Sequence, residues 1–408
     1  MVASSRSKRN TVTNGQIEQR TQMDSLTIAT PITESLMRGF IELEETPFGV
    51  IPHRLPAKAR VQCPDSQLAI VEAEPSGVRL VFKTKATTVE VDLLATRRQL
   101  VGVPPRPDGI YDLCIDGRLT DQRSAEQASI MRIDISTGIT TREPAPVQTL
   151  RFNGLSQHEK LVEIWLPHNE ITELGCLRTD AAVLPLTNTH RALWLHHGSS
   201  ISQGSNAVSP TGTWPAVAAR LTGLNLTNLG FSGNAMLDPF MARTIRDTPA
   251  DLISVKLGIN LVNADLMRLR AFSPAVHGFL DTIRDGHPTT PLLVISPVYC
   301  PIHETTPGPG IFDLQALAMG QLKFLASGRH EDVAIGKLTL TVIRQHLQSI
   351  VEMRTKDDSN IHYLDGRTLY GEEDHIRLPL PDRLHPDAET HRLIGERFAP
   401  FLRRGWHQ

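Results

Sequence analysis

Two adjacent serines, Ser199 and Ser200, follow an apolar run and a glycine in Leu193-Trp194-Leu195-His196-His197-Gly198-Ser199-Ser200-Ile201-Ser202-Gln203-Gly204. A serine on a sharp turn after a buried strand projects its hydroxyl from the end of a sheet, as a nucleophile must. The same turn leaves its backbone N–H facing the cleft, where an oxyanion would sit. Glycine permits the turn where a side chain would clash. Alone, a Gly-Ser-Ser turn is more often a plain chain reversal.

Three further segments bear on that choice: Asn228-Leu229-Gly230-Phe231-Ser232-Gly233-Asn234, Gly258-Ile259-Asn260 and Asp382-Arg383-Leu384-His385. Each has a bland reading, Gly233 as a turn glycine, Asn260 as a loop cap, and Asp382 to His385 as a surface turn. Together they supply a nucleophile, two oxyanion donors, and a base with its orienting acid. Pro386 disfavours helical geometry at His385 and so sets it at a helix boundary. Asp387 and Glu389 in the first turn complement the helix dipole. Asp382, three residues back, can then reach one ring nitrogen while the other faces Ser200, fixing the tautomer and stabilising the imidazolium.

The elements that must position these groups change in texture along the chain. Residues 1–36 are rich in Ser, Thr, Gln and Arg without an apolar period and read as a disordered leader, with Met23 and Met37 as alternative starts. Residues 37–186 carry short period-2 strands, such as Val78-Leu80-Phe82 and Val89-Val91-Leu93, with a hairpin signal at Asp116-Gly117. A β-sandwich fits them. Residues 187–408 alternate strands and helices, with strands at 193–197, 224–229, 252–257, 291–296 and 361–364. The spacing predicts helices from Thr213 to Gly223, from Ser273-Pro274 to Gly286, along the Leu340-Ile343-Leu347-Ile350-Val351 stripe, and from Pro386 onward. This is a doubly wound parallel α/β domain, whose ligands gather at the carboxyl ends of the strands. All four segments fall at such ends. A Pro/Gly-rich insertion between Tyr299 and Asp332 has the character of an active-site border.

Composition removes several classes. With 42 Lys and Arg against 44 Asp and Glu, the formal charge of −2 offers no basic surface for nucleic acid. Cys63, Cys114, Cys176 and Cys300 form no CxxC pair and read as free thiols, which with the lack of a signal sequence or membrane span points to the cytoplasm. His196, His197, His303, Glu304 and His330 show no metal-ligand spacing, and no cofactor motif occurs. The His196-His197 pair reads as one buried residue and one site-lining residue, and Trp194 and Trp214 as core rather than a sugar platform. An α/β-hydrolase would share the Ser-Asp-His order, but no strict GxSxG is present.

The four segments resemble the four signature blocks of the SGNH (GDSL-type) hydrolase superfamily, and the resemblance spans Arg191 to about Leu402. It implies Ser200 as nucleophile, His385 as general base, Asp382 as its acid, and an oxyanion hole of Ser200, Gly233 and Asn260. Ser199 stands where the first block usually has Asp, and Leu261 where the third often does. The sandwich resembles the N-terminal domain of a subset that includes carbohydrate esterases and antibiotic-tailoring acyltransferases. The expected activity is a serine esterase acting on a small-molecule ester, such as an acetylated sugar or metabolite. The alternatives are an acyltransferase with the same residues, drawing on an acyl donor such as a thioester, and, more distantly, a non-catalytic carbohydrate-binding protein. Oligomeric state is not readable from the sequence.

Overall fold

Alternating apolar residues close the first part of the chain into two facing sheets. The computed structural model describes residues 28–63, 65–134, 136–186 and 191–403. Its first strands are β1 (Ile28–Pro31), β2 (Met37–Arg38), β3 (Glu42–Glu45), β4 (Val50–His53), β5 (Arg79–Thr84), β6 (Val89–Leu100) and β7 (Tyr111–Ile115). They are followed by β8 (Arg118–Arg123), β9 (Ser129–Ile133), β10 (Thr140–Glu143), β11 (Gln148–Phe152), β12 (Lys160–Trp165), β13 (Glu170–Thr179) and β14 (Val183–Pro185). One sheet runs β10-β9-β6-β13-β4-β3, with β1 beside β13 and β11 beside β6; the other runs β14-β5-β12-β7-β8, with β2 beside β5. Pairing is antiparallel apart from β6 with β9. A single cluster joins Leu80, Phe82, Val162 and Ile164 of one sheet to Val91, Leu93, Leu174 and Leu177 of the other, so the apolar faces meet as a sandwich requires. Asp116 and Gly117 both adopt positive φ, 50° and 79°, as a two-residue hairpin of the predicted kind demands.

The leader is shorter than expected. Ile28–Pro31 pairs with Thr179 to Cys176, and Leu36 is buried, so residues 28–36 belong to the sandwich. Ladder hydrogen bonds and two buried side chains, Ile32 and Leu36, hold a segment whose composition alone offers little. Residues 1–27 lie outside the described residues, as does Thr187, where the second domain is expected to begin.

The second part is built on five parallel strands, β15 (Leu193–Gly198), β16 (Asn225–Gly230), β17 (Leu252–Lys256), β18 (Leu292–Ile295) and β21 (Ile361–Leu364), in the order β16-β15-β17-β18-β21. β19 (Gly310–Phe312) and β20 (Phe324–Ala326) pair as a small hairpin within the Pro/Gly-rich insertion. The sheet order places a topological switch point between β15 and β17, where ligands of such sheets bind. Helices α1 (Ser200–Gln203), α2 (Trp214–Thr222), α3 (Pro239–Asp247), α4 (Ile259–Asn263), α5 (Leu269–Gly286), α6 (Leu340–Arg354) and α7 (Ala388–Arg403) connect and cover it.

Two helix starts differ from expectation. α5 begins at Leu269, leaving Pro274 inside it, because Phe272 joins the buried stripe of Val276, Phe279, Leu280 and Ile283 and the Leu269 N–H bonds the Gly336 carbonyl at 2.8 Å. α7 begins at Ala388 rather than Pro386, because Asp387 accepts the Thr390 N–H at 2.9 Å. Thr213 does precede α2, yet its hydroxyl donates to the Pro210 carbonyl instead of capping. Among the described residues, no helix is long and apolar enough to cross a membrane, and the four cysteines are free.

Candidate active site

Ser199 and Ser200 separate sharply in environment. Ser200 opens α1 directly after β15, and its Oγ lies 2.9 Å from His385 Nε2. Ser199 occupies the extended position before the helix, fully buried, and its Oγ has no partner among the described residues. The turn is tight because a Cβ at Gly198 would stand 2.3 Å from Ser202 Oγ. Of the two hydroxyls, only Ser200's reaches the imidazole.

His385 and Asp382 sit on the loop between Leu380 and α7. His385 Nδ1 is 2.7 Å from Asp382 Oδ2, while Asp382 Oδ1 accepts the backbone N–H groups of Leu384 and His385 at 2.9 and 2.7 Å. Asn206 Nδ2 adds a bond to Oδ2 at 3.2 Å. Burial works to raise the Asp382 pKa, but the imidazole and these donors outweigh it and hold the carboxylate below its ordinary value. A carboxylate so held orients Nδ1 as donor and leaves Nε2 free to accept from Ser200. The insertion closes over the pair: the Phe324 N–H donates to the Asp382 carbonyl at 3.0 Å, and its ring stands edge-on to His385 at 5.7 Å.

The two oxyanion candidates lie beyond β16 and β17. Gly233, at φ 75°, is the third residue of a turn closed by Asn234 N–H to Phe231 O at 3.0 Å, and its own N–H has no acceptor among the described residues. Asn260 is buried on α4 and accepts the Ala235 N–H on Oδ1 at 3.0 Å. That bond ties the second and third segments together and assigns the amide, leaving Nδ2 without a partner among the described residues. Gly258, at φ 126°, makes the approach to α4 possible; a Cβ there would stand 2.7 Å from Ile343.

The histidine pair departs from expectation. Both residues are buried, His196 between Ser254 Oγ and Ser202 Oγ at 2.8 Å each, and His197 against the Leu229 carbonyl at 2.7 Å. Burial lowers both pKa values, to about 4 at His197. Both are structural, since the pleat places one on each covered face of β15. His303 bonds the Thr306 carbonyl at 3.1 Å, His330 that of Thr305 at 2.9 Å, and Glu304 pairs with Arg344 at 2.7 Å. Trp194 and Trp214 are core, at 1% and 0% exposure.

Sequence reasoning missed the sandwich's contribution. Arg54, wholly buried, donates to the carbonyls of Asn228 and Gly230 at 3.0 and 2.6 Å and lies over the Phe231 ring at 4.7 Å. Ser76 Oγ donates to the Gln203 carbonyl at 2.6 Å. Gln203 in turn accepts the Ser232 N–H at 2.8 Å and donates to Glu74. The sandwich therefore braces the loop that carries Gly233. It also supplies one wall of a cavity of ≈ 370 Å³ bounded by Arg106, His168, Val208, Leu322, Asp382 and His385, among others. Ser200, Gly233 and Asn260 are not in that wall.

Comparisons with known proteins agree with this architecture. Residues 194–302 match the GDSL-like Lipase/Acylhydrolase family, and residues 36–173 match the SsfX3 N-terminal domain. No curated protein sequence matches the chain. The solved structure of the salicylyl-acyltransferase SsfX3 from a tetracycline biosynthetic pathway is 28% identical, with a TM-score of 0.72 over 92% of this chain and 96% of its own. A GDSL-like lipase candidate from Bacteroides ovatus ATCC 8483 is 21% identical, with a TM-score of 0.65 over 93% of this chain and 98% of its own. A family two carbohydrate esterase from Cellvibrio japonicus is 11% identical, with a TM-score of 0.54 over 93% and 97%. At those identities the last two show a shared fold. The chain thus has an SGNH-type fold, with a GDSL-like lipase/acylhydrolase match at residues 194–302 behind an N-terminal all-β domain of the SsfX3 kind.

Proposed function

We propose that this chain is a serine esterase that forms an acyl-enzyme on Ser200 and releases the acyl group to water. The observation that carries the reading is the continuous relay from Asp382 Oδ2 through both nitrogens of His385 to Ser200 Oγ, at 2.7 and 2.9 Å. In the first half-reaction Ser200 Oγ bonds to the ester carbonyl carbon while its proton passes to His385 Nε2. The Ser200 and Gly233 N–H groups and Asn260 Nδ2 bind the developing oxyanion. The C–O bond to the alcohol then breaks, and His385 returns the proton to the leaving oxygen. Water attacks the acyl carbon with His385 again taking the proton, and Ser200 is regenerated.

A second reading replaces that water with an alcohol acceptor. The likeness to the salicylyl-acyltransferase over both parts of the chain favours it. Excluding water from the acyl-enzyme separates the two readings physically.

The test is a panel of 4-nitrophenyl esters of graded acyl length, with and without added alcohols. An alkyl fluorophosphonate would be used in parallel to label the nucleophile for mass spectrometry. Labelling at Ser200, with turnover of at least one ester, supports the reading. Label on Ser199, or turnover surviving in Ser200→Ala, overturns it. Acyl transfer to alcohol outpacing hydrolysis selects the second reading.

A further inference from the structure

The cavity beside His385 is walled by apolar groups, Ile110, Val208, Leu322 and Phe324 among them, yet it holds one cation. Arg106 is exposed into solvent-accessible space and makes no hydrogen bond or ion pair among the described residues. The carboxylates around it are already taken. Asp108 pairs with Arg97 at 2.9 Å, Glu74 with Arg98 at 3.3 Å and with Gln203, and Asp382 with His385. Arg98 adds a second positive charge nearby. Two further polar atoms on the wall, His168 Nδ1 and Ser232 Oγ, are buried without partners. Buried polar atoms ordinarily have a partner, so His168 Nδ1 and Ser232 Oγ offer a ligand two places on the wall, and Arg106 offers it a charge with no protein counter-ion.

Position assigns the ligand's part. The cavity touches the base of the relay and not Gly233 or Asn260. The group beside a general base is the oxygen that receives its proton, which belongs to the alcohol, whereas the acyl oxygen faces the oxyanion donors. We infer that this cavity binds the alcohol portion of the ester, or the acceptor alcohol, and that Arg106 selects an alcohol carrying a carboxylate or phosphate. This rests on the acyl-enzyme reading of Ser200. Arg suits the role because its planar fork meets either anion in two parallel hydrogen bonds.

The experiment compares 4-acetoxybenzoate with its neutral isostere 4-acetoxybenzamide, and uses phenyl phosphate as a competitor. Wild-type protein should favour the carboxylate by about tenfold or more in kcat/KM, the low end for a hydrogen bond to a charged group. Arg106→Gln should bring that ratio to near one, and Arg106→Lys should keep part of it. Phenyl phosphate competing more strongly than benzoate would identify phosphate as the natural anion; the reverse order would identify carboxylate. Calorimetric titration of Ser200→Ala with both esters reads binding without turnover, so it decides the cavity's preference even if the acyl-enzyme reading fails. Equal affinity for the charged and neutral esters, or a preference untouched in Arg106→Gln, overturns the inference.

Discussion

The sandwich and the parallel sheet hold their polar groups in opposite ways. In the second part, Ser200, Gly233 and Asn260 follow the ends of β15, β16 and β17, while Asp382 and His385, three residues apart, come from the loop before α7. In the sandwich, the groups that reach the cleft come from separate loops and a helix, and their partners lie across the chain. Arg54 bonds Asn228 and Gly230, and Ser76 bonds Gln203. Short turns thus orient the reacting groups, which meet when Ser200 and His385 are brought together from the two ends of the second part, and the sandwich holds the loop that surrounds them. The difference teaches that chemistry and its bracing can be encoded separately, so each can be broken without the other.

The sharpest break is at the local end. Ser200→Ala should lower ester turnover by about four to six orders of magnitude, the range found for losing a member of such a relay. The urea midpoint should barely move, since the hydroxyl's partner within the protein is His385. A large loss of stability would mean that the relay also holds the fold.

Arg54→Met tests the long-range end. It removes the donor to two β16 carbonyls and the cation beside Glu72 and Glu74. Removing one partner of a buried charge network costs about 3–5 kcal/mol, and kcat should fall in the protein that stays folded because the Gly233 loop loosens. Arg246→Met, which breaks only an exposed pair with Asp247, should leave the urea midpoint where it is within experimental scatter. Equal effects from the two variants, read by urea unfolding, would erase the distinction between the halves.

Asn260 stands between the two cases, since its Oδ1 holds Ala235 locally while Nδ2 is left for the cleft. Asn260→Ala should lower kcat by about 10²–10³ with little change in KM, as for one lost oxyanion donor. A purely structural cap would instead cost roughly 0.5–2 kcal/mol with kcat intact. Denaturation and steady-state kinetics on one preparation separate these outcomes.

This contrast also explains what the sequence could show. The relay was legible because its pieces are short segments, Ser200 at the end of an apolar strand and Asp382 with His385 three residues apart just before Pro386 and the last helix. The register of Leu193 with Asn225, of Ile253 with Leu292 and of Leu292 with Ile361 needs only strand order and length. Arg54, Glu74 and Arg106 were not legible, because their roles depend on contacts with residues far along the chain. Composition misjudged residues 28–36, which a ladder along β13 holds, and Pro274 drew attention as a helix start although the buried stripe begins at Phe272. One residue of the His196-His197 pair was expected to line the site, but helices cover both faces of β15 and bury both.

The smallest effect lies where the two halves meet. Asp238 immediately precedes α3, on the stretch that follows Gly233, and its pKa is pushed up to about 6 by desolvation, with the like charge of Asp65 on the sandwich side adding to the rise. Its side chain makes no capping bond to offset that cost. The sign follows from which state binds the proton more tightly. The unfolded carboxyl ionises near its ordinary value of about 4, and the folded one only near 6, so stability from this group is full below about pH 4 and declines up to about pH 6. Above that it stays lower by a constant amount. Asparagine keeps the shape and carries no charge, so Asp238→Asn should match the wild type near pH 4 and exceed it at pH 7.5. Partial exposure reduces the full linkage value, leaving a gain of about 1–2 kcal/mol. Urea unfolding at the two pH values measures it. A gain of equal size at both would assign the effect to packing rather than charge, and no gain at pH 7.5 would show that solvent already relieves Asp238 at the junction.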